Sequence, residues 1–158
     1  DLHGCQVGVA TLAMARLYER LLDLDPARQT AAPLEEFGQV EDRLAPVFGP
    51  LWPAVQPIAR QVHGSVPSRD DRLQRLTRDG TRLWQRLRAA LGPSPADPQD
   101  LVRAGAPTRF GDIGVDADGA RRILHVARYV RARYTILDLA ADIGTLDGWI
   151  DDVVEELA

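Results

Sequence analysis

Apolar residues recur at helical spacing along almost the whole chain, and this periodicity constrains the fold more than any other feature of the sequence. A strand with one buried face alternates apolar and polar residues, and we find no convincing run of that kind bounded by turn residues. The chain has 158 residues, of which 45% are hydrophobic, and this is enough for one domain with its own core. We therefore predict a single all-α domain over residues 1–158.

The first helix is predicted over residues 4–24. It ends before Asp25-Pro26, because proline disfavours a helical conformation in the residue that precedes it. Its first half is apolar on several sides, so we expect this half to be buried nearly all round. One apolar stripe contains Val7, Ala10, Met14, Leu17 and Leu21, and the apolar residues outside this stripe are Val9, Leu12 and Ala13.

Further helices are predicted over residues 34–48, 98–104 and 117–134, and a short one over 52–62 is either kinked or starts at Pro53 or Pro57. The clearest amphipathic pattern follows Ser68, the predicted N-cap, and continues to residue 91. Its apolar face consists of Leu73, Leu76, Leu83, Leu87 and Leu91. Across the chain, we predict that the buried side chains include Val7, Leu12, Met14, Leu17, Leu83, Leu87, Ile136 and Leu139.

Charge and composition exclude several classes of partner. The net charge is −4, and the 19 basic residues, all arginine, are scattered among acids, which argues against a general nucleic-acid-binding protein. Apolar stretches are shorter than the roughly 20 residues needed to cross a bilayer, so we expect no membrane span. A single cysteine cannot form an internal disulfide, and we find no secretory leader before the first helix. We expect a cytoplasmic protein.

Few residues are candidates for chemistry, and no phosphate-binding loop, paired CxxC, HExxH or nucleophile elbow is present in the sequence. His63 precedes Gly64, where it favourably meets the negative end of a helix. His125 lies among arginines, on what we interpret as a solvated or half-buried helix face. We interpret Cys5 as a small buried residue rather than a nucleophile. His3, at the start of the first helix, is either a helix cap or a metal ligand.

Two segments carry a resemblance to a known family. "LHGCQVGVATLAMARLY" resembles the "HGEQVG" helix of sn-glycerol-1-phosphate dehydrogenases, which belong to the superfamily of iron-containing alcohol dehydrogenases, glycerol dehydrogenases and dehydroquinate synthases. "GAPTRFGDIGVDADGARRILHVARYVRARYTILDLAADIGTL" is similar to the closing region of that family. Within it, the block Arg133-Tyr134-Thr135 favours the glycerol-1-phosphate dehydrogenases over the other branches.

The resemblance implies that this chain is the helical C-terminal domain of such an enzyme, and that a nucleotide-binding domain precedes Asp1. It implies that His3 is one of three metal ligands, the other two being an upstream aspartate and histidine. The metal, which is zinc, nickel or iron in different relatives, acts as a Lewis acid while NAD(P)H reduces dihydroxyacetone phosphate. Cys5 stands where relatives usually carry glutamate, so Cys5 and Gln6 are the expected neighbours of the metal ligand. Tyr134 and Thr135 are expected to be packing residues.

The resemblance also carries expectations for the partners and for the isolated chain. The substrate it implies is a small phosphorylated three-carbon compound, and a homo-oligomer is expected. We expect the chain alone to have no dehydrogenase activity and no tightly bound cofactor. One alternative is a non-catalytic helical assembly module or a degenerate relative, which the cysteine at position 5 favours. Another, within the superfamily, is a glycerol dehydrogenase or a dehydroquinate synthase-like enzyme.

Overall fold

The computed structural model describes residues 2–64, 68–92 and 96–158, and all the regular structure in these ranges is helical. The all-α prediction is therefore confirmed. None of the described helices combines the length and the apolar character that a membrane span requires. The helices are α1 (Leu2–Asp23), α2 (Phe37–Phe48), α3 (Trp52–Gly64), α4 (Arg69–Leu91), α5 (Pro98–Arg103), α6 (Ala117–Ala127), α7 (Ile136–Asp142) and α8 (Leu146–Glu156).

The main core forms where α1, α4, α6, α7 and α8 meet. Leu17 of α1 and Ile150 and Val153 of α8 have no exposed surface, and α8 packs against both α1 and α6. Such large apolar side chains each contribute about 1.5–3 kcal/mol when they are fully removed from water. The C-terminal helix is therefore part of the main core.

A smaller core lies between α2 and α3. Val40 and Leu44 of α2 pack with Ala59 of α3 and with Tyr129, which follows α6. Helix α3 begins at Trp52 and continues through Pro57, so neither Pro53 nor Pro57 starts it. The Tyr129 side chain thus connects the α2–α3 pair to the rest of the fold.

The inward face of α1 differs from the predicted one. Val9, Leu12, Ala13, Leu17 and Leu21 are buried, whereas Val7 is 50% exposed. The prediction that Val7 is buried is wrong, and so is the expectation that the first half of α1 is buried nearly all round, because Ala10 is also exposed. A helix with apolar residues on several sides does not itself specify which stripe faces its neighbours. Packing against α8 and α4 selects the stripe that starts at Val9.

The inward face of α4 also differs, because Leu83 is 42% exposed and Trp84 is 5% exposed. The indole Nε1 of Trp84 donates a hydrogen bond to the Leu21 carbonyl at 2.8 Å, which fixes the large ring in the core beside α1. The prediction for Leu83 is therefore wrong, since the bulkier tryptophan occupies the core one position later. Leu12, Leu17 and Ile136 are buried as predicted, and the side chains that are half-buried against the core are Met14, Leu87 and Leu139.

Helix α6 is shorter than predicted and ends at Ala127 rather than at residue 134. Backbone turns follow, in which the Tyr129 amide bonds to the Val126 carbonyl and the Val130 amide to the Ala127 carbonyl. The chain leaves the helix here because Tyr129 enters the smaller core and Arg128 pairs with Asp138.

At the start of α4, Ser68 occupies the N-cap position, but its side chain makes no capping hydrogen bond. Its hydroxyl accepts a hydrogen bond from Arg72 instead.

A close approach between α4 and the turn Pro26–Arg28 requires glycine at position 80. A Cβ on Gly80 would lie 2.3 Å from the Cβ of Pro26. We expect Gly80→Ala to lower the free energy of unfolding by about 1–3 kcal/mol, because overpacking outweighs the better helix propensity of alanine. Urea denaturation measures this change. Gly148→Ala in α8 is the control, since no described atom beyond its chain neighbours and its own helix backbone lies within 4 Å of the added Cβ. Equal stability of the two variants would contradict the expected overpacking.

Candidate functional site

The predicted site residues lie in the first two turns of α1. His3 and Gln6 are exposed, and Cys5 is half-buried. Residues three apart on a helix share a face, so His3 and Gln6 lie side by side. Residues two apart are separated by about 200° around the helix axis, so Cys5 is directed away from His3. Because His3 already belongs to α1, His3 and Cys5 do not form a two-ligand site.

Among the described residues, the start of α1 offers too few donors to enclose a metal ion by itself. Within residues 2–64, 68–92 and 96–158, no group of three or more histidine, cysteine, aspartate or glutamate side chains is placed to hold one. A catalytic zinc site normally has three protein ligands and one open position. Within the described residues, His3 would supply only a single ligand to such a site.

The N-terminal half of α1 lies next to α5. A Cβ on Gly8 would lie 3.5 Å from the Leu101 side chain, so the two helices approach closely at this point. Helix α5 begins at the N-cap Asp97, whose carboxylate accepts a hydrogen bond from the Gln99 amide at 2.9 Å. The prediction that α5 starts at Asp97-Pro98 is therefore correct, although the helix ends at Arg103, one residue before the predicted end. Leu101 of α5 therefore lies beside the second turn of α1.

The other two histidines have structural contacts. The Nε2 atom of His63, in the last turn of α3, lies 2.8 Å from the Glu35 carbonyl oxygen. Its ring meets the Phe37 ring edge-on, with 5.4 Å between the ring centroids. The Nδ1 atom of His125 lies 3.6 Å from a carboxylate oxygen of Asp147. Both imidazoles therefore connect segments of the fold.

A buried ionic cluster, which was not among the sequence predictions, surrounds the carboxylate of Asp142 at the end of α7. Arg72 Nη2 lies 3.0 Å and the Tyr134 hydroxyl 2.9 Å from Oδ2 of Asp142, and Arg69 Nε lies 3.5 Å from Oδ1. Arg69 is only 3% exposed, and its Nη2 also donates hydrogen bonds to the carbonyls of Asp142 and Ala32. We call Arg69, Arg72, Tyr134 and Asp142 the Asp142 cluster.

A second buried carboxylate, Asp138, begins the same helix. Its Oδ2 accepts hydrogen bonds at 2.8 Å from both the amide and the hydroxyl of Thr135, and its Oδ1 lies 3.1 Å from Arg128 Nε. Thr135 and Asp138 thus form a capping box at the start of α7. Both carboxylates of α7 are compensated by arginines that reach them from other parts of the chain.

The Arg133-Tyr134-Thr135 block therefore does more than pack. Tyr134 lies beneath the Arg72 guanidinium, with 4.4 Å between the guanidinium carbon and the ring centroid, and its hydroxyl binds Asp142. Partial burial and the nearby Asp142 carboxylate raise the pKa of the Tyr134 hydroxyl, so it stays protonated and donates at neutral pH. Thr135 caps α7. The expectation that Tyr134 and Thr135 are packing residues needs correction, because both act through polar contacts.

A sequence signal for this cluster does exist. Asp138 and Asp142 are four residues apart, so they share a face of a short helix that is otherwise apolar. Two carboxylates in such a segment indicate buried charges, and buried charges require basic partners. The partners themselves lie up to 73 residues away and could not be assigned from the sequence.

A cavity of about 100 Å³ adjoins the Asp142 cluster, and it is bounded by Pro33, His63, Arg69, Tyr134 and Asp138. Its carboxylates Asp138 and Asp142 are paired with arginines that also line it, and its third carboxylate, Glu35, pairs with Arg43 outside the lining. No cysteine or serine is among the described residues that line it. The cavity is also small compared with the roughly 300–1,000 Å³ of ordinary ligand sites. We therefore interpret the Asp142 cluster as a structural centre and the start of α1 as the candidate functional site.

Comparisons with protein-family models, with characterised proteins and with solved structures gave no match to this chain.

Proposed function

We propose that this chain is the metal-contributing helical domain of an NAD(P)H-dependent oxidoreductase that resembles sn-glycerol-1-phosphate dehydrogenases. The observation that supports the proposal most directly is the exposed imidazole of His3, next to Gln6, on the first turn of a helix whose central part is buried. A packed helix fixes the backbone from which the His3 side chain projects, which limits the positions that the imidazole can reach. The type of reaction in the proposal comes from the resemblance of "HGCQVG" and of the segment that contains Arg133-Tyr134-Thr135 to sn-glycerol-1-phosphate dehydrogenases.

The proposed reaction is the reduction of dihydroxyacetone phosphate to sn-glycerol 1-phosphate. A hydride from NAD(P)H adds to the carbonyl carbon, and a proton adds to the carbonyl oxygen. A bound zinc, nickel or iron ion would supply Lewis-acid chemistry at that oxygen. His3 would provide one ligand, and two ligands and the nucleotide-binding domain would lie elsewhere in the protein. The amide groups at the start of α1 favour negative charge close to His3.

Cys5 marks a departure from the family pattern and supports the competing hypothesis of a non-catalytic module. The thiol is directed away from His3, so it does not replace a glutamate that would orient the histidine. Gln6 shares the face of His3 and can hydrogen-bond to it or to a water molecule. The proposal therefore assigns the positioning role to Gln6 and none to Cys5. It also includes the expected cytoplasmic location and a homo-oligomeric state.

An assay of the full-length natural protein tests the proposal. NAD(P)H consumption is measured with dihydroxyacetone phosphate, before and after removal of metal with a chelator and after addition of Zn²⁺, Ni²⁺ or Fe²⁺. We expect turnover that depends on the metal and yields sn-glycerol 1-phosphate, and no turnover by the 158-residue chain alone. Glycerol with NAD⁺ and the substrate of dehydroquinate synthases test the two related activities. Absence of turnover in all three assays, together with absence of bound metal, would support the assembly module.

A further inference from the structure

An open groove of about 490 Å³ runs along the outer face of α4. Its wall on α4 includes Arg75, Asp79, Arg82, Leu83 and Arg86, and the opposite wall includes Tyr134 and Leu139. We call it the α4 groove. It shares no residue with the start of α1, so its ability to bind a ligand does not depend on the proposed dehydrogenase activity.

The α4 groove carries an excess of positive charge on a chain whose net charge is −4. Arg75, Arg82 and Arg86 lie on one helical stripe, and in the described ranges none of the three forms an ion pair with a carboxylate. Asp79, the one acid among the described residues that line the groove, lies 2.7 Å from Arg78 Nη2. Hydrogen bonding from Arg78, assisted by the charges of Arg82 and Arg75, keeps the pKa of Asp79 below its usual range. A single carboxylate thus faces several guanidinium groups.

The floor of the α4 groove is apolar. Leu83 is 42% exposed although it lies among arginines, and Leu76 is buried beneath the groove. Leu139 and the ring of Tyr134, which is 47% exposed, continue this apolar surface onto the neighbouring segment. The groove therefore combines a cationic edge with a hydrocarbon-like floor.

We propose that the α4 groove binds an anionic amphiphile, a molecule with a phosphate group and a hydrocarbon chain. Arg82 and Arg86 are one helical turn apart, which separates their Cα atoms by about 6 Å along the axis. Two guanidinium forks at this spacing can converge on one tetrahedral phosphate, for which arginine has matching geometry. The chain of the ligand would lie on Leu83 and Leu139 and remove their apolar surface from water.

An extended acidic peptide fits the α4 groove less well. The backbone N–H and C=O groups in the middle of α4 are hydrogen-bonded within the helix, so the groove offers no row of backbone partners. A peptide would therefore leave polar groups unpaired against the leucines, which is costly. An alkyl chain has no such groups, and its phosphate carries the charge that the arginines complement.

Isothermal titration of the 158-residue chain with octyl phosphate, below the concentration at which it forms micelles, tests the proposal. Inorganic phosphate and octanol are the two partial probes. We expect octyl phosphate to bind at least about tenfold more tightly than either, since only octyl phosphate carries both features, and to bind more weakly as salt is raised. R82Q/R86Q is expected to weaken its binding at least about tenfold, and Leu83→Ser to weaken it less.

The matched control is R28Q/R103Q, which removes two exposed arginines outside the groove and should leave binding unchanged. If R82Q/R86Q unfolds, the single variant Arg86→Gln is compared with the control instead. The proposal is overturned if octyl phosphate binds no better than inorganic phosphate, or if the control weakens binding as much as R82Q/R86Q does. Tighter binding of an aspartate-rich peptide than of octyl phosphate would also overturn it.

Discussion

Replacing His3 with alanine in the full-length protein is expected to lower kcat for dihydroxyacetone phosphate reduction at least about 100-fold. The metal that His3 would help to hold would supply Lewis-acid chemistry worth several kcal/mol, and about 1.4 kcal/mol corresponds to a tenfold change in rate. His3 is exposed on the first turn of α1, so its removal creates no cavity in the core. The measurements are steady-state kinetics and the metal content per protein chain, and both are expected to fall.

His125→Ala is the matched control for His3→Ala, because it also removes an imidazole from a helix. The His125 ring has its nearest charged partner in Asp147, and its loss should leave the rate nearly unchanged. His63→Ala should do the same, since that ring contacts Glu35 and Phe37 rather than the start of α1. Similar losses of rate in all three variants would show that the metal ligand has been assigned to the wrong residue. An unaltered melting temperature for His3→Ala would exclude unfolding as the cause of its loss.

Replacing Asp142 with alanine is expected to lower the free energy of unfolding by about 3–5 kcal/mol, because it leaves the Arg69 guanidinium buried without its carboxylate partner. Arg69 is 3% exposed and Asp142 is 9% exposed, so solvent cannot replace the lost contacts easily. The Tyr134 hydroxyl and Arg72 also lose the carboxylate that they share. In a domain of this size the change corresponds to a fall in Tm of about 10 °C.

Two further variants distinguish the loss of stability caused by unpairing a buried charge from the loss caused by shortening any aspartate side chain. Asp142→Asn keeps an oxygen that accepts hydrogen bonds, so we expect its loss of stability to lie between those of wild type and Asp142→Ala. Asp100→Ala removes a carboxylate from an exposed pair with Arg103, and it should cost less than about 1 kcal/mol. Thermal and urea denaturation measure all three variants. A cost for Asp142→Ala as small as that for Asp100→Ala would mean that the Asp142 cluster does not stabilise the fold.

A helix end was predictable from the sequence where a local signal marks it. Asp97-Pro98 marks the start of α5, because the aspartate caps the helix and proline fits its first turn. The end of α6 had no comparable signal, since "HVARYVRARY" continues with residues compatible with a helix. The structure ends α6 at Ala127 because Tyr129 packs against α2 and α3, which lie far from it in sequence, and because Arg128 pairs with Asp138 of α7.

The candidate site at the start of α1 and the structural centre at the Asp142 cluster differ in the same way. The position of His3 at the start of a helix follows from its own neighbours in sequence, and so does the separation of its side chain from that of Cys5. The Asp142 cluster depends on Arg69, Arg72 and Tyr134, which come from α4 and from the segment before α7. Helical periodicity describes one element at a time and carries no information on which elements meet.

The sequence by itself therefore determined that this protein is all-helical, because the spacing of apolar residues is a local property that each helix expresses independently. It did not determine which side of an apolar helix is buried, as Val7 and Leu83 show by their exposure. Only the tertiary structure decided this, since the buried face depends on the shape of the neighbours. Gly80 is one example, because its lack of a side chain lets Pro26 approach, and Trp84 is another, because its indole bonds to α1.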